Sequence, residues 1–133
     1  MLVITSKSPY AVRALSELAR RGDSAPVPIG DLARAREIPV QFLEGLFATL
    51  RRAGVLQSQR GVKGGYSFAR PPSEVTILEI VELLEGELGA EAAASGPIWT
   101  DAADAVRSVL AATTIAELAE REARDAAAPM YYI

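Results

Sequence analysis

The sequence contains neither cysteine nor histidine. The first absence excludes disulfides and thiolate chemistry, and the second excludes imidazole acid–base catalysis. Together they exclude zinc held by the usual nitrogen and sulfur ligands. Carboxylates, Lys, Ser or Tyr could still serve an enzyme, but no nucleophile–base constellation stands out, so neither catalysis nor a cofactor is expected. No run approaches 18 uninterrupted apolar residues, so no membrane span is expected. The opening MLVITSKSPYAV lacks a basic region followed by an apolar core and a cleavage site, so no signal peptide is expected and the default location is cytoplasmic.

At 133 residues, half of them apolar, the chain is long enough for one domain, or for one small domain with a helical arm. The net charge of −3 argues superficially against a nucleic-acid partner, but it is unevenly divided. Residues 1–70 hold 11 Lys/Arg against 5 Asp/Glu, a balance of +6. Residues 71–133 hold 3 against 12, a balance of −9. The first half can neutralise phosphates, whereas the second would repel them and reads mostly as solvated helix surface.

The most informative stretch is 29–68. Leu32, Ala33 and Ile38 recur at helical spacing, and Pro39 closes that helix into a turn. A second amphipathic run, 40–53, gathers Phe42, Leu43, Leu46, Phe47 and Leu50 on one broad face and stops at Gly54. Two strand-like runs, 55–59 and 66–69, then flank Arg60-Gly61-Val62-Lys63-Gly64-Gly65. Helix, turn, helix and a basic, glycine-tipped hairpin make a winged helix-turn-helix, which lays one helix in the DNA major groove. The fold class expected is mainly α with a small β-hairpin wing.

Within that module Gln41, Glu44 and Gly45 share the outward, N-terminal part of the recognition helix, with Phe42 at the edge of the apolar arc. Glutamine can pair with adenine and glutamate can accept from a cytosine amino group. Gly45 costs about 1 kcal/mol against alanine; it either lets backbone approach DNA or is tolerated in a helix held by packing. Arg51 and Arg52 suit phosphates or simply the helix dipole. Arg60 suits a narrow minor groove, while Gly61, Gly64 and Gly65 allow positive φ and close backbone approach. A phosphate cradle is the competing reading of this loop, but it needs a following helix, and Tyr66-Ser67-Phe68 is strand-like.

Upstream, Ser8 before Pro9 suits a helix cap, with Ala11, Leu15, Leu18 and Ala19 as the inward stripe. Lys7 and Tyr10 at that helix start can meet a phosphate, though Tyr10 reads equally well as a partly buried ring packed on the next helix. Val27 is a candidate one- or two-residue strand beside the hairpin. Downstream, Thr76-Ile77-Leu78-Glu79 and Thr114-Ile115-Ala116-Glu117 read as capping boxes. Residues 86–98 read as a flexible loop, whose Glu87 and Glu91 are weak candidates for a hard cation. A helix follows from Trp99 with Thr100 as its cap. Its Trp99, Val106, Val109 and Leu110 suit packing against a second copy. Pro129 stops the last helix before an apolar tail, Met130-Tyr131-Tyr132-Ile133. The division expected is 1–85 winged domain, 86–98 loop, and 99–133 dimerisation arm and tail.

Residues from Thr5-Ser6-Lys7 and Tyr10-Ala11-Val12, through Ile38-Pro39-Val40-Gln41-Phe42-Leu43-Glu44 and Leu50-Arg51-Arg52-Ala53-Gly54-Val55-Leu56, to Arg60-Gly61, Gly64-Gly65-Tyr66 and Ala69-Arg70-Pro71 resemble the Rrf-two family of bacterial winged-helix regulators. Nearly all of the first 85 residues match in order and spacing. The resemblance implies a homodimer on a palindromic double-stranded DNA operator, generally as a repressor. It carries recognition-helix contacts over to Gln41, Phe42 and Glu44, a minor-groove contact to Arg60, and backbone contacts to Lys7 and Tyr10. Two departures stand out. Many members bind an iron–sulfur cluster through three cysteines in the loop equivalent to 86–98, which has none here. The wing reads Gly-Val-Lys-Gly-Gly where Gly-Pro-Gly-Gly-Gly is common, which adds a charge at Lys63. The lack of cysteine and the Met-Tyr-Tyr-Ile end are most similar to the branch controlling cysteine metabolism, which implies a cysteine-synthesis enzyme as partner. Two other functions stay open beside the regulator: a winged helix that binds protein rather than DNA, and a small-molecule sensor with a pocket near Trp99.

Overall fold

The computed structural model describes residues 4–22 and 25–127. The start of the lead-in, the Pro129 stop and the tail at 130–133 lie outside the described residues.

Helix α1, Lys7–Arg20, buries Ala11, Ala14, Leu15 and Leu18, the i, i+3, i+4, i+7 stripe of an amphipathic helix. It begins earlier than the Ser8-Pro9 cap implies. Ser6 flanks it without a side-chain cap, and Ser8 is inside the helix, 2 % exposed, donating its hydroxyl to Glu85. Pro9 is tolerated in this first turn because its missing N–H has no intrahelical acceptor to lose. Ser16 is also fully buried and donates to Glu122.

Helix α2, Ile29–Arg36, ends on Glu37, which adopts a left-handed conformation at φ 55°, and Ile38 N–H donates to Ala33 O at 2.9 Å. That reversal and Pro39 lead into α3, Val40–Arg52, whose Leu43, Leu46, Phe47 and Leu50 are buried. The chain leaves α3 through Gly54, and Val55 N–H closes the end on Leu50 O at 3.0 Å.

Strands β1, Leu56–Gln59, and β2, Gly65–Phe68, pair antiparallel in the register Leu56 to Phe68 and Gln59 to Gly65. Val27 adds the short third strand expected of it. Its N–H reaches Tyr66 O at 2.9 Å, and Tyr66 N–H returns to Val27 O at 2.8 Å. Tyr66 also stands edge-on to Phe47 with centroids 5.1 Å apart, which ties the hairpin to the buried side of α3.

Helix α4, Ile77–Glu85, buries Ile80 and Val81. After it, a 3-10 turn at Ala92–Ser95 precedes α5, Pro97–Ala111, and then α6, Ile115–Ala127. Leu88 and Ala92 are buried within the expected loop, and α5 begins at Pro97, so Thr100 is a first-turn residue and not the cap. Thr76 and Thr114 do cap, accepting from Glu79 N–H and Glu117 N–H at 3.1 Å each. The reciprocal half of the first capping box does not form, because the Glu79 carboxylate accepts from Arg70 instead. The two capped starts are joined through Ile77 N–H to Thr113 O at 3.0 Å and Ile115 N–H to Val75 O at 2.8 Å.

The result is mainly helical with one small hairpin. One core unites Ala11, Leu15, Leu32, Leu43, Phe47, Leu50, Leu56 and Ile80, with Ile115 of α6 included. Each such fully buried leucine contributes about 2 kcal/mol. The last helix thus packs back onto α1.

Candidate nucleic-acid interface

Because Leu43, Leu46, Phe47 and Leu50 claim the inner face of α3, helical geometry leaves Gln41, Glu44, Gly45 and Arg51 exposed on the other. A Cβ placed on Gly45 would meet nothing within 4 Å, so nothing within the chain requires glycine there. Val40, at the first position, is 41 % exposed. Lys7, from the start of α1, lines one groove with Gln41, Phe42, Gly45 and Thr49, which brings α1 to the outward N-terminal part of α3.

Phe42 and Tyr10 face each other. Their rings meet edge-on at 5.6 Å and 80°, and the Arg13 guanidinium lies 5.8 Å from the Tyr10 centroid. Tyr10 is thus a half-buried ring packed on α3, not on α2, the next helix. Phe42 is half-buried beside the core and also lines the groove with Lys7 and Gln41.

The wing tip is tightly constrained. Gly64 N–H closes a turn on Gly61 O at 2.9 Å. A Cβ on Gly64 would lie 2.3 Å from Gln59 O, and one on Gly65 would lie 2.3 Å from both the carbonyl carbon and oxygen of Val27. Both positions therefore exclude a side chain. Gly61 instead needs its φ of 111°. Arg60 and Lys63 are exposed, and Val62 between them is entirely so.

Several of the cations have partners within the chain. Arg21 pairs with Glu17 at 3.3 Å, Arg36 with Glu17 at 2.9 Å and with Glu122, Arg34 with Asp31, and Arg70 with Glu79. Arg13 donates to Arg36 O. Lys7, Arg51, Arg60 and Lys63, at the start of α1, on α3 and on the wing, are exposed and make no ion pair among the described residues; the exposed Arg20, Arg52, Arg121 and Arg124 make none either.

Several carboxylates of the acidic half have specific partners rather than forming a solvated surface. Glu85, the last residue of α4, accepts from Thr5 N–H at 2.6 Å and from the Ser8 hydroxyl. Partial burial pushes its pKa up, but these hydrogen bonds outweigh that and hold the carboxyl below its ordinary value. Glu122 behaves alike: burial raises it, while hydrogen bonds from Arg36 and Ser16 and the charges of Arg36 and Arg20 lower it further. Glu85 was not legible as part of the site's support, since its partners lie 77 and 80 residues away. Val62 carried a local signal, an apolar residue inside a glycine-rich basic turn.

The other predicted residues belong to a separate surface. On α5, Trp99 is 44 % and Val109 68 % exposed, with Ile98 beside them, while Val106 and Leu110 are half-buried. Leu83 of α4 is a further exposed apolar side chain.

A basic wing beside an outward helix of a helix-turn-helix defines a DNA-binding transcription regulator. The model of the Rrf2 (Rrf-two) family, described as iron-dependent transcriptional regulators, matches residues 4–121, and the chain belongs to that family. It is 32 % identical over 136 residues to the HTH-type transcriptional regulator CymR of Bacillus subtilis, covering 98 % of this chain and 99 % of the relative. The structure of that CymR, described as the global cysteine regulator of B. subtilis, superimposes with a TM-score of 0.80 at 33 % identity, covering 91 % of this chain and 98 % of CymR. T. potens IscR gives 0.79 at 30 % identity, covering 91 % of this chain and 88 % of IscR. Oxidised CymR of Staphylococcus aureus gives 0.76 at 35 %, covering 89 % and 96 %.

The residues present do not fit an iron–sulfur cluster. The sequence has no cysteine or histidine, Glu87 and Glu91 are exposed, and no group of three or more potential metal ligands occurs among the described residues.

Proposed function

We propose that this chain is a repressor that binds a palindromic operator as a homodimer and works without an iron–sulfur cluster. The observation that carries the DNA-contact assignment is the set of exposed, unpaired cations Lys7, Arg51, Arg60 and Lys63 on three adjoining elements, where most of their arginine neighbours are engaged internally. In this reading Gln41 and Glu44 address base edges in the major groove, Arg51 and Lys7 hold phosphates, and Arg60 enters the adjacent minor groove. Residues 1–85 form the DNA-binding unit, and α5, which begins two residues before the expected arm of 99–133, joins two subunits through Ile98, Trp99 and Val109, whose exposed apolar surface favours burial. An exposed indole on that face supports subunit packing over a ligand pocket. Likeness to CymR, described as the global cysteine regulator of B. subtilis, supports a role in cysteine metabolism; the partner that goes with this reading is a cysteine-synthesis enzyme, implied by the family resemblance alone. A bacterial regulator of this kind acts in the cytoplasm, where the DNA is.

Selection of duplexes from a randomised library with the purified full chain tests the proposal. Enrichment of an inverted repeat, with half-sites about one helical turn apart or a multiple of it, is the expected result. Sequence-blind binding would overturn the operator reading, and selection of single half-sites would overturn the dimer.

A further inference from the structure

We infer that Val62, at the tip of the wing, is a specificity-determining residue that reads A·T against G·C base pairs in the DNA minor groove; this rests on the DNA-binding reading above. Its side chain is fully exposed, in contrast to the partial exposure of Val40, Leu83 and Trp99. The turn that carries it is closed by Gly64 N–H on Gly61 O at 2.9 Å. Behind that turn Gly64 and Gly65 lie against the backbones of Gln59 and Val27 too closely to admit even a Cβ, which ties the wing to both. Val62 is thus a β-branched apolar group with few rotamers, displayed at the tip of a closed turn with Arg60 on one side and Lys63 on the other.

Those neighbours determine where the isopropyl group goes. A guanidinium and an ammonium on the same tip are drawn to the minor groove, most strongly where it is narrow and its potential most negative. An apolar group carried in with them has no hydrogen bond to offer. Against A·T it meets a smooth floor of adenine N3 and thymine O2. Against G·C it meets the guanine 2-amino group, which projects from the floor. Burying that amino group under an isopropyl group strips its water and leaves a donor unpaired. Val62 therefore discriminates by exclusion, a role that Arg60 and Lys63, as cations, perform only through groove width and charge. Apolar side chains inserted between or against bases are an established minor-groove device.

The test uses the best duplex selected with the full chain, with each base pair flanking the half-sites changed in turn to G·C or I·C. Inosine lacks only the 2-amino group. The wild type should lose about fivefold or more in affinity with G·C at the wing-facing position, and I·C should restore it. Val62→Ala should cut the G·C penalty to about twofold or less while leaving major-groove preferences intact. Val62→Ile, which keeps the apolar bulk, should retain the penalty. Val62 is fully exposed, so neither variant should alter folding. An equal G·C penalty in wild type and Val62→Ala would overturn the inference and leave the operator reading standing. Absence of any sequence-specific binding by the wild type would overturn both.

Discussion

Arg36 of α2 and Glu122 of α6 form a two-pronged ion pair, both guanidinium nitrogens reaching the carboxylate at 3.2 Å across 86 residues of sequence. Arg36 Nε also donates to Glu17 at 2.9 Å, and the arginine side chain is only 13 % exposed. The last helix is thereby tied to the first two, including the helix that precedes the recognition turn. Arg36→Ala would leave two half-buried carboxylates without their donor. We expect a loss of about 2 kcal/mol, read as a Tm lower by roughly 8 °C in thermal unfolding.

The same carboxylate makes stability acid-sensitive. Glu85 and Glu122 titrate below their ordinary value of 4.5 in the folded protein. As pH falls through that range the unfolded chain takes up protons that the native state refuses, so folding weakens. Their contribution is fully present above about pH 4.5 and is lost as pH drops through the lower native values. Urea midpoints should be level from pH 7 to 5 and fall below it. In the double variant Glu85→Gln, Glu122→Gln the midpoint at neutral pH should be lower and the acid slope shallower.

Glu37 holds a left-handed conformation at φ 55° that glycine adopts freely. Its side chain is exposed. Glu37→Gly relieves backbone strain of about 1–2 kcal/mol, offset in part by glycine's unfolded-state entropy. A net gain of about 0.5–1 kcal/mol is expected, visible as a higher urea midpoint at unchanged slope.

The wing glycines should rank by what surrounds them. At Gly65 an alanine Cβ would collide with the Val27 backbone, so Gly65→Ala should break the Val27–Tyr66 bridge and displace the hairpin. At Gly61 the space is open and only the positive φ resists. Thermal unfolding and operator affinity should both suffer more from Gly65→Ala than from Gly61→Ala, with helical circular dichroism kept in each.

On α5, Val109 is 68 % exposed in the single chain, so Val109→Asp should fold normally. If α5 joins the subunits, light scattering should find this variant monomeric and its preference for a palindrome over a half-site should vanish. A dimer that survives the substitution would place the subunit contact elsewhere.

The helix-turn-helix and the wing were readable because local signals agree there: a period near 3.6 in 40–53, Pro39 at the turn, and glycines at the hairpin tip. Val27 as a short strand was legible only from the winged-helix architecture, which often adds one beside the hairpin. The beginning of α1 was not, since Ser8 looks like a cap until Glu85, 77 residues later, takes its hydroxyl. Likewise Thr76-x-x-Glu79 has the form of a full capping box, but Arg70 captures the glutamate. Both differences come from a tertiary partner overriding a local preference. Phe42, by contrast, lies half-buried at the edge of the helical arc as its spacing implies, with Tyr10 against its ring.

The central claim, that Lys7, Arg51, Arg60 and Lys63 are the DNA footprint, is tested most directly by operator affinity across a salt series. Anisotropy would be measured for the wild type and for Arg51→Ala, Arg60→Ala and Lys63→Ala separately and combined. In a homodimer each substitution removes a cation from both subunits and should flatten the slope of log affinity against log salt by about 2, so the combined variant, which keeps Lys7, should bind weakly and with a much shallower salt dependence. Parallel lines of unchanged affinity would contradict the account and move the DNA contact off this face.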